Sequence, residues 1–187
     1  MSTKTKLNVI VAFTGIFTLV AFATLLPSSA KNDNDKIPEG YILKKIPAPP
    51  LTVLQWVQGP ETQVSTGQVT IIEFWATWCP PCVKTVPHLN DLYVKHKDAG
   101  LRIAALTDEP QIKVAPFIAK QKGKMTYPVA ICAKDYYAKY LQSWGIDSIP
   151  HTFIVGADGD YFWHGYPLDP EFEKAVEKAL ANMPAKR

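Results

Sequence analysis

Cysteine is scarce in this chain, and its scarcity narrows the functions that the chain can have. The 187 residues contain three cysteines, which are too few for the disulfide framework of a small secreted scaffold. A four-thiolate zinc site would need a second cysteine pair, and the well-spaced histidines of a mixed site are also missing. The sequence therefore predicts neither a structural metal nor a bound cofactor.

The chain also has little net charge and no strongly basic segment. The formal net charge is only +3, and no stretch combines clustered basic residues with interleaved aromatics, so a nucleic-acid partner is not expected. Internal repeats and low-complexity tracts are absent as well. With 47% hydrophobic and 20% charged residues, the composition is typical of a globular protein. The length suits one domain and a leader.

The first thirty residues predict that the chain is exported. Lys4 and Lys6 are followed by an uncharged apolar run, residues 7–30. Its length suits either a membrane anchor or a signal peptide, and Ser28 and Ala30 are the small residues that precede a cleavage site. The lysines before the run keep the amino end inside. In both cases the rest of the chain lies in the cell envelope, on the periplasmic side.

The remainder divides into a tether and a domain. Residues 31–49 are polar and then punctuated by prolines, as in a tether, and residues 50–187 alternate strand-like and helix-like patterns. This order predicts an α/β domain with a central mixed sheet covered by helices on both faces. Strands are expected at 51–57, 69–76, 101–107, 127–131 and in a hairpin at 151–165, and helices at 80–97, 111–122 (interrupted by Pro116), 136–144 and 170–182.

The cysteine pair lies where a buried strand gives way to a helix, in "EFWATWCPPC". Cys79 and Cys82 are one helical turn apart, close enough for a disulfide. The helix amino end favours the thiolate of Cys79, which can attack a disulfide, and Cys82 can then resolve the mixed disulfide. We therefore predict thiol–disulfide chemistry rather than an inert staple. The third cysteine, Cys132, closes another buried strand and is expected to be an inert core residue.

Three segments together resemble the thioredoxin superfamily, and in particular its exported, tethered TlpA/ResA branch. They are "EFWATWCPPC", "SIPHTFIV" and "ADGDYFWHG", and the likeness covers roughly residues 48–183. It implies a thioredoxin-like fold with Cys79 and Cys82 as the active site. It also implies a cis proline at Pro150 beside the disulfide, with the backbone of Ile149 presented to an incoming polypeptide.

The residues around the motif predict how it is tuned. Pro80 and Pro81 carry no N–H group, so the Cys79 thiolate has fewer hydrogen-bond donors and the pair should be reducing. Trp78 is expected to form part of an apolar docking surface.

Glu73 lies inside a buried strand, six residues before Cys79, where thioredoxins carry a buried aspartate. Burial should raise its pKa towards that of a general base, so we predict that it accepts the Cys82 proton. Members of the branch often have an acid three residues after the second cysteine, where this chain has Thr85.

The expected function is reduction of disulfides in specific client proteins, for example during cytochrome c or copper-site assembly. The resemblance implies a membrane thiol protein as the electron donor. Two alternatives remain open, namely an oxidant that installs disulfides and an assembly factor that holds copper between Cys79 and Cys82. A thiol peroxidase is less compatible, because the Pro-x-x-x-Thr-like loop of that group is absent before Cys79.

Overall fold

The structure is a computed structural model that describes residues 39–42 and 44–184. The predicted leader, residues 1–30, and the first part of the tether lie outside the described residues. Within the described ranges, no helix is both long enough and apolar enough to cross a membrane.

A seven-stranded mixed sheet forms the centre of the domain, in the order β1-β7-β6-β3-β4-β5-β2. The three strands β3, β4 and β5 are parallel, and every other neighbouring pair is antiparallel. The strands are β1 Gly40–Tyr41, β2 Gln55–Gln58, β3 Val69–Phe74, β4 Leu101–Thr107, β5 Val129–Ile131, β6 His151–Val155 and β7 Tyr161–Gly165.

Helices cover both faces of the sheet, as predicted. One hydrophobic cluster contains buried side chains of α1, α2 and α4, and a second cluster on the other face contains those of α3. Because β3 is buried at every position, its apolar residues serve both clusters. The helices are α1 Pro80–His96, α2 Gln111–Lys120, α3 Lys134–Ser143 and α4 Pro170–Ala181.

One expectation about a helix is wrong. Pro116 was predicted to interrupt the second helix, but α2 runs through it without a break. A proline at this position removes one backbone hydrogen bond. The buried Val114 and the partly buried Phe117 and Ile118 nevertheless pack against the core, and this packing offsets the loss.

The sheet begins earlier than the sequence pattern suggests. Part of the predicted tether lies along β7: Gly40 and Tyr41 pair with it as β1, and Pro47 forms a bridge with Asp160. Backbone hydrogen bonds also join Ile42 to Phe162 and Ala48 to Gly159. Residues 40–42 and 44–48, hereafter the edge segment, thus cover the outer edge of the hairpin formed by β6 and β7.

Candidate active site

The two motif cysteines form a disulfide at the amino end of α1. Cys79 is the N-cap residue of this helix, and the backbone N–H of Cys82 donates to Cys79 Sγ over 3.2 Å. Cys79 is 3% exposed and Cys82 is completely buried. Cys79 is therefore the sulfur that an incoming molecule can reach first, and Cys82 is placed to react only within the protein.

The loop before β6 lies beside this disulfide. The Ile149–Pro150 peptide bond is cis, as the family resemblance implies, and the carbonyl oxygen of Ile149 lies 3.7 Å from Cys79 Sγ. Strand β6 pairs with β3, the strand that leads into the cysteine motif. Antiparallel pairing of these two strands is what brings residues 70 positions apart into contact.

Glu73 is buried beneath α1 rather than exposed, with 1% of its surface accessible. It has no ion pair among the described residues, and burial raises its pKa from 4.5 to about 8, against a smaller lowering effect of the Thr85 hydrogen bond. One carboxylate oxygen, Oε1, lies 3.1 Å from Thr85 Oγ1. The other, Oε2, is buried and has no hydrogen-bond partner in the described part of the chain, so it can accept a proton.

Thr85 connects Glu73 to the second cysteine. Its hydroxyl oxygen lies 2.7 Å from the carbonyl oxygen of Cys82, and a hydroxyl has only one proton to donate. When Glu73 is protonated, Thr85 can donate to Cys82 and accept from Glu73. When Glu73 is charged, Thr85 can donate to the carboxylate instead. Thr85, which stands where members of the branch often have an acid, thus forms a hydrogen bond with Glu73, the buried acid of this chain.

A second buried acid, which the sequence reasoning missed, holds the loop before Cys79. The Glu109 carboxylate accepts hydrogen bonds from the backbone N–H of Thr77, over 2.6 Å, and from its hydroxyl, over 2.9 Å. Glu109 is 5% exposed, and it follows β4, the parallel neighbour of β3. The carboxyl ends of parallel strands meet at one edge of a sheet, which is the signal that could have indicated this contact.

The residues predicted to dock clients line one groove beside the disulfide. Trp78, Pro80, Pro81 and Ile149 contribute to a groove of about 450 Å³ that also contains Cys79. Trp78 is 68% exposed, which is unusual for so large an apolar side chain. An exposed aromatic at the entrance to a reactive sulfur is suited to contact with another molecule.

The remaining candidates of the sequence lie in the core. Cys132 is free and buried, and burial, together with the charge of Asp108, raises its pKa to about 12, so it is a poor nucleophile. His151 Nε2 lies 3.0 Å from His164 Nδ1, and both residues are buried. This pair was not anticipated, although the Asp158-Gly159 turn that predicts the hairpin also brings its two strands together.

The sequence matches a known protein family. The sequence profile of the AhpC/TSA family matches residues 46–160, which is more than half of the chain. The chain belongs to this family. Within the described residues, no group of three or more histidine, cysteine, aspartate or glutamate side chains could hold a metal ion.

Curated relatives carry the name thiol-disulfide oxidoreductase ResA. The protein from Bacillus thuringiensis (strain Al Hakam) is 39% identical over 94 residues, which are 50% of this chain and 51% of the relative. The protein from Geobacillus kaustophilus (strain HTA426) is 32% identical over 111 residues, or 58% of this chain and 61% of the relative. The matched part thus spans about half of the length of these relatives.

Solved structures share the fold. A thiol:disulfide interchange protein of the thioredoxin family from Chlorobium tepidum TLS has a TM-score of 0.61 at 24% identity, over 74% of this chain and 99% of that one. The thioredoxin domain of a thiol-disulfide oxidoreductase from Bacteroides vulgatus has a TM-score of 0.62 at 22% identity, with the same coverage. The predicted thioredoxin-like α/β fold is confirmed.

Proposed function

We propose that this protein is an exported thiol–disulfide oxidoreductase that reduces disulfides of specific client proteins through Cys79 and Cys82. The observation that carries the proposal is the position of the pair. One sulfur caps a helix beneath an exposed groove, and the other is buried in the same helix as Thr85, which contacts Glu73. The ResA relatives support the same chemistry.

The reaction begins with the reduced dithiol. The Cys79 thiolate attacks one sulfur of a client disulfide, a bond forms between Cys79 Sγ and that sulfur, and the other client sulfur leaves as a thiolate that takes a proton from water. The helix amino end stabilises the attacking anion. The Cys82 N–H, the one donor seen at Cys79 Sγ in the described structure, adds to this stabilisation.

Resolution of the mixed disulfide requires Cys82 to lose its proton. The buried Glu73 carboxylate accepts it, and the Cys82 thiolate attacks Cys79 Sγ and releases the second client sulfur. Two electrons have then passed from the protein to the client, and the Cys79–Cys82 disulfide of the structure is left. A thiol donor must reduce it before the next cycle, and we propose a membrane thiol protein for this step, as the resemblance to the TlpA/ResA branch implies.

The equilibrium reduction potential of the Cys79–Cys82 pair tests the direction of the reaction. We expect a value near or below about −250 mV in equilibrium with a dithiothreitol series. This is close to the potential of the reductant thioredoxin, about −270 mV. A value above roughly −150 mV would instead make the protein an oxidant that installs disulfides. Copper binding by the reduced protein in the absence of any insulin reduction would favour the copper-holding alternative.

A trapping experiment tests the assignment of the two sulfurs. The Cys82→Ser variant should accumulate a mixed disulfide with a peptide disulfide, because nothing resolves the intermediate. The matched Cys79→Ser variant should accumulate far less, since Cys82 is completely buried. Equal trapping by both variants would contradict the assigned roles of the two cysteines.

A further inference from the structure

The groove beside Cys79 carries a charge pattern that the proposed reaction does not use. Besides the apolar residues near the disulfide, its walls include two carboxylates, Asp108 and Asp147, and no lysine, arginine or histidine. Asp108 is half-buried and Asp147 is exposed. Within the part of the chain that the structure describes, neither has a salt-bridge partner.

The charge of Asp108 acts inside the groove. Tyr137 lines it, and the pKa of its phenol is raised by burial and then by the charge of Asp108. A charge that acts on a neighbouring hydroxyl also acts on a ligand in the same space. Apolar walls strengthen this effect because they keep water away from the field between the charges.

The apolar side of the groove suits the stem of a long cation. Trp78 presents 68% of its surface at the entrance, and an indole face attracts lysine and arginine head groups. The methylene groups of such a side chain can pack on apolar surface while its charged end reaches a carboxylate. Trp78, Asp108 and Asp147 together therefore provide the contacts that a basic side chain needs.

We propose that this groove selects clients in which a lysine or arginine lies within a few residues of the cysteine to be reduced. The proposal rests on the proposed function, since it assumes that a client segment approaches Cys79. The backbone of Ile149 and the ring of Trp78 hold that segment, and Asp108 and Asp147 bind its basic side chain. Acidic clients are disfavoured by the same two carboxylates.

Short peptides with one central cysteine, blocked as a disulfide with neutral mercaptoethanol, test the selection. Each is reduced by the dithiol form of the protein, with lysine, glutamine or glutamate beside the cysteine. The lysine peptide should react at least about fivefold faster than the glutamate peptide at low ionic strength, and the difference should shrink with added salt. Equal rates for the three peptides would overturn the proposal.

Variants identify the source of the preference. The double change Asp108→Asn and Asp147→Asn should bring the lysine and glutamate rates together. The matched control is Asp91→Asn, the same chemical change at an exposed position of α1 outside the groove, which should retain the preference. If the double variant retains it too, these two carboxylates do not read the charge.

Binding without chemistry separates the two proposals. Peptides with serine in place of cysteine cannot exchange, so their Kd for the oxidised protein, measured by calorimetry, reports the groove alone. The lysine peptide should bind more tightly than the glutamate peptide even if the protein reduces neither. A protein that reduces all peptides but binds the serine peptides equally supports the proposed function and refutes the charge selection.

Discussion

At the scale of single residues, burial sets the chemistry of Glu73. Its pKa is raised to about 8 by burial, so it becomes a base only as the pH rises through that value. We expect the rate of mixed-disulfide resolution to rise with pH near 8. The Glu73→Gln variant should lose this rise, and above pH 8 it should resolve the mixed disulfide at least about tenfold more slowly. Tryptophan fluorescence after rapid mixing with a peptide disulfide would measure the rate. An unchanged rate and pH profile would remove Glu73 from the mechanism.

Thr85→Val is the matched change to the partner of Glu73. Valine has nearly the shape of threonine but cannot donate the hydrogen bond that lowers the pKa of Glu73. The step in the pH profile should therefore move to higher pH, while it persists with similar amplitude. A shift to lower pH would mean that Thr85 does not stabilise the charged carboxylate.

The same buried carboxyl makes stability depend on pH. Because the pKa of Glu73 is about 8 in the folded protein and about 4.5 in the unfolded chain, the folded state holds the proton more tightly between these values. The contribution of Glu73 to the free energy of unfolding is therefore fully present below about pH 4.5. The free energy of unfolding then falls by up to about 1.4 kcal/mol per pH unit as the pH rises towards 8. Urea unfolding of the oxidised protein across this range should show the slope, and Glu73→Gln should flatten it. Parallel slopes would contradict a buried, titrating Glu73.

At the scale of elements, the amino end of α1 sets the redox property. An N-cap side chain accepts from the second and third helical N–H groups, and here Pro81 at the second position has none, which leaves Cys82. Pro81→Ala adds a donor to the thiolate. A hydrogen bond to a charged group is worth about 1.5–3 kcal/mol, so the potential should rise by roughly 30–60 mV.

Pro80→Ala is the control for this prediction. Pro80 is the first helical residue, and an N-cap side chain accepts from the second or third N–H group instead. Of the two prolines predicted to remove donors, only Pro81 therefore removes one from Cys79, and Pro80→Ala should change the potential much less although the same ring is lost. If both variants shift the potential equally, chain stiffness rather than hydrogen bonding is the cause.

How far the sequence predicts these elements depends on the range of the interactions. The nearly continuous apolar runs of β3 and β4 predict buried strands because a strand that is buried on both faces has few polar positions. Glu73 is noticeable for the same reason, as a charge inside such a run. The Thr77–Glu109 contact joins segments 32 residues apart, so it depends on which strands are neighbours, and local patterns do not encode this. The His151–His164 contact lies within the predicted hairpin, but it depends on the register of the two strands, which the turn alone does not specify. The prediction that Pro116 interrupts α2 is wrong because the packing of the helix against the core outweighs the low helix preference of one proline.

At the scale of the whole molecule, the edge segment makes the domain larger than the pattern of residues 50–187 suggests. Its backbone hydrogen bonds cover β7, and Ile42, Ile46 and Ala48 pack against the second core cluster. A chain that begins at residue 50 should lose about 2–4 kcal/mol of unfolding free energy relative to one that begins at residue 39. It should also self-associate in sedimentation experiments, because an uncovered strand edge pairs with other chains. Equal stability of the chains from 39 and from 50 would mean that these contacts add nothing, and the domain would then begin where the sequence pattern places it.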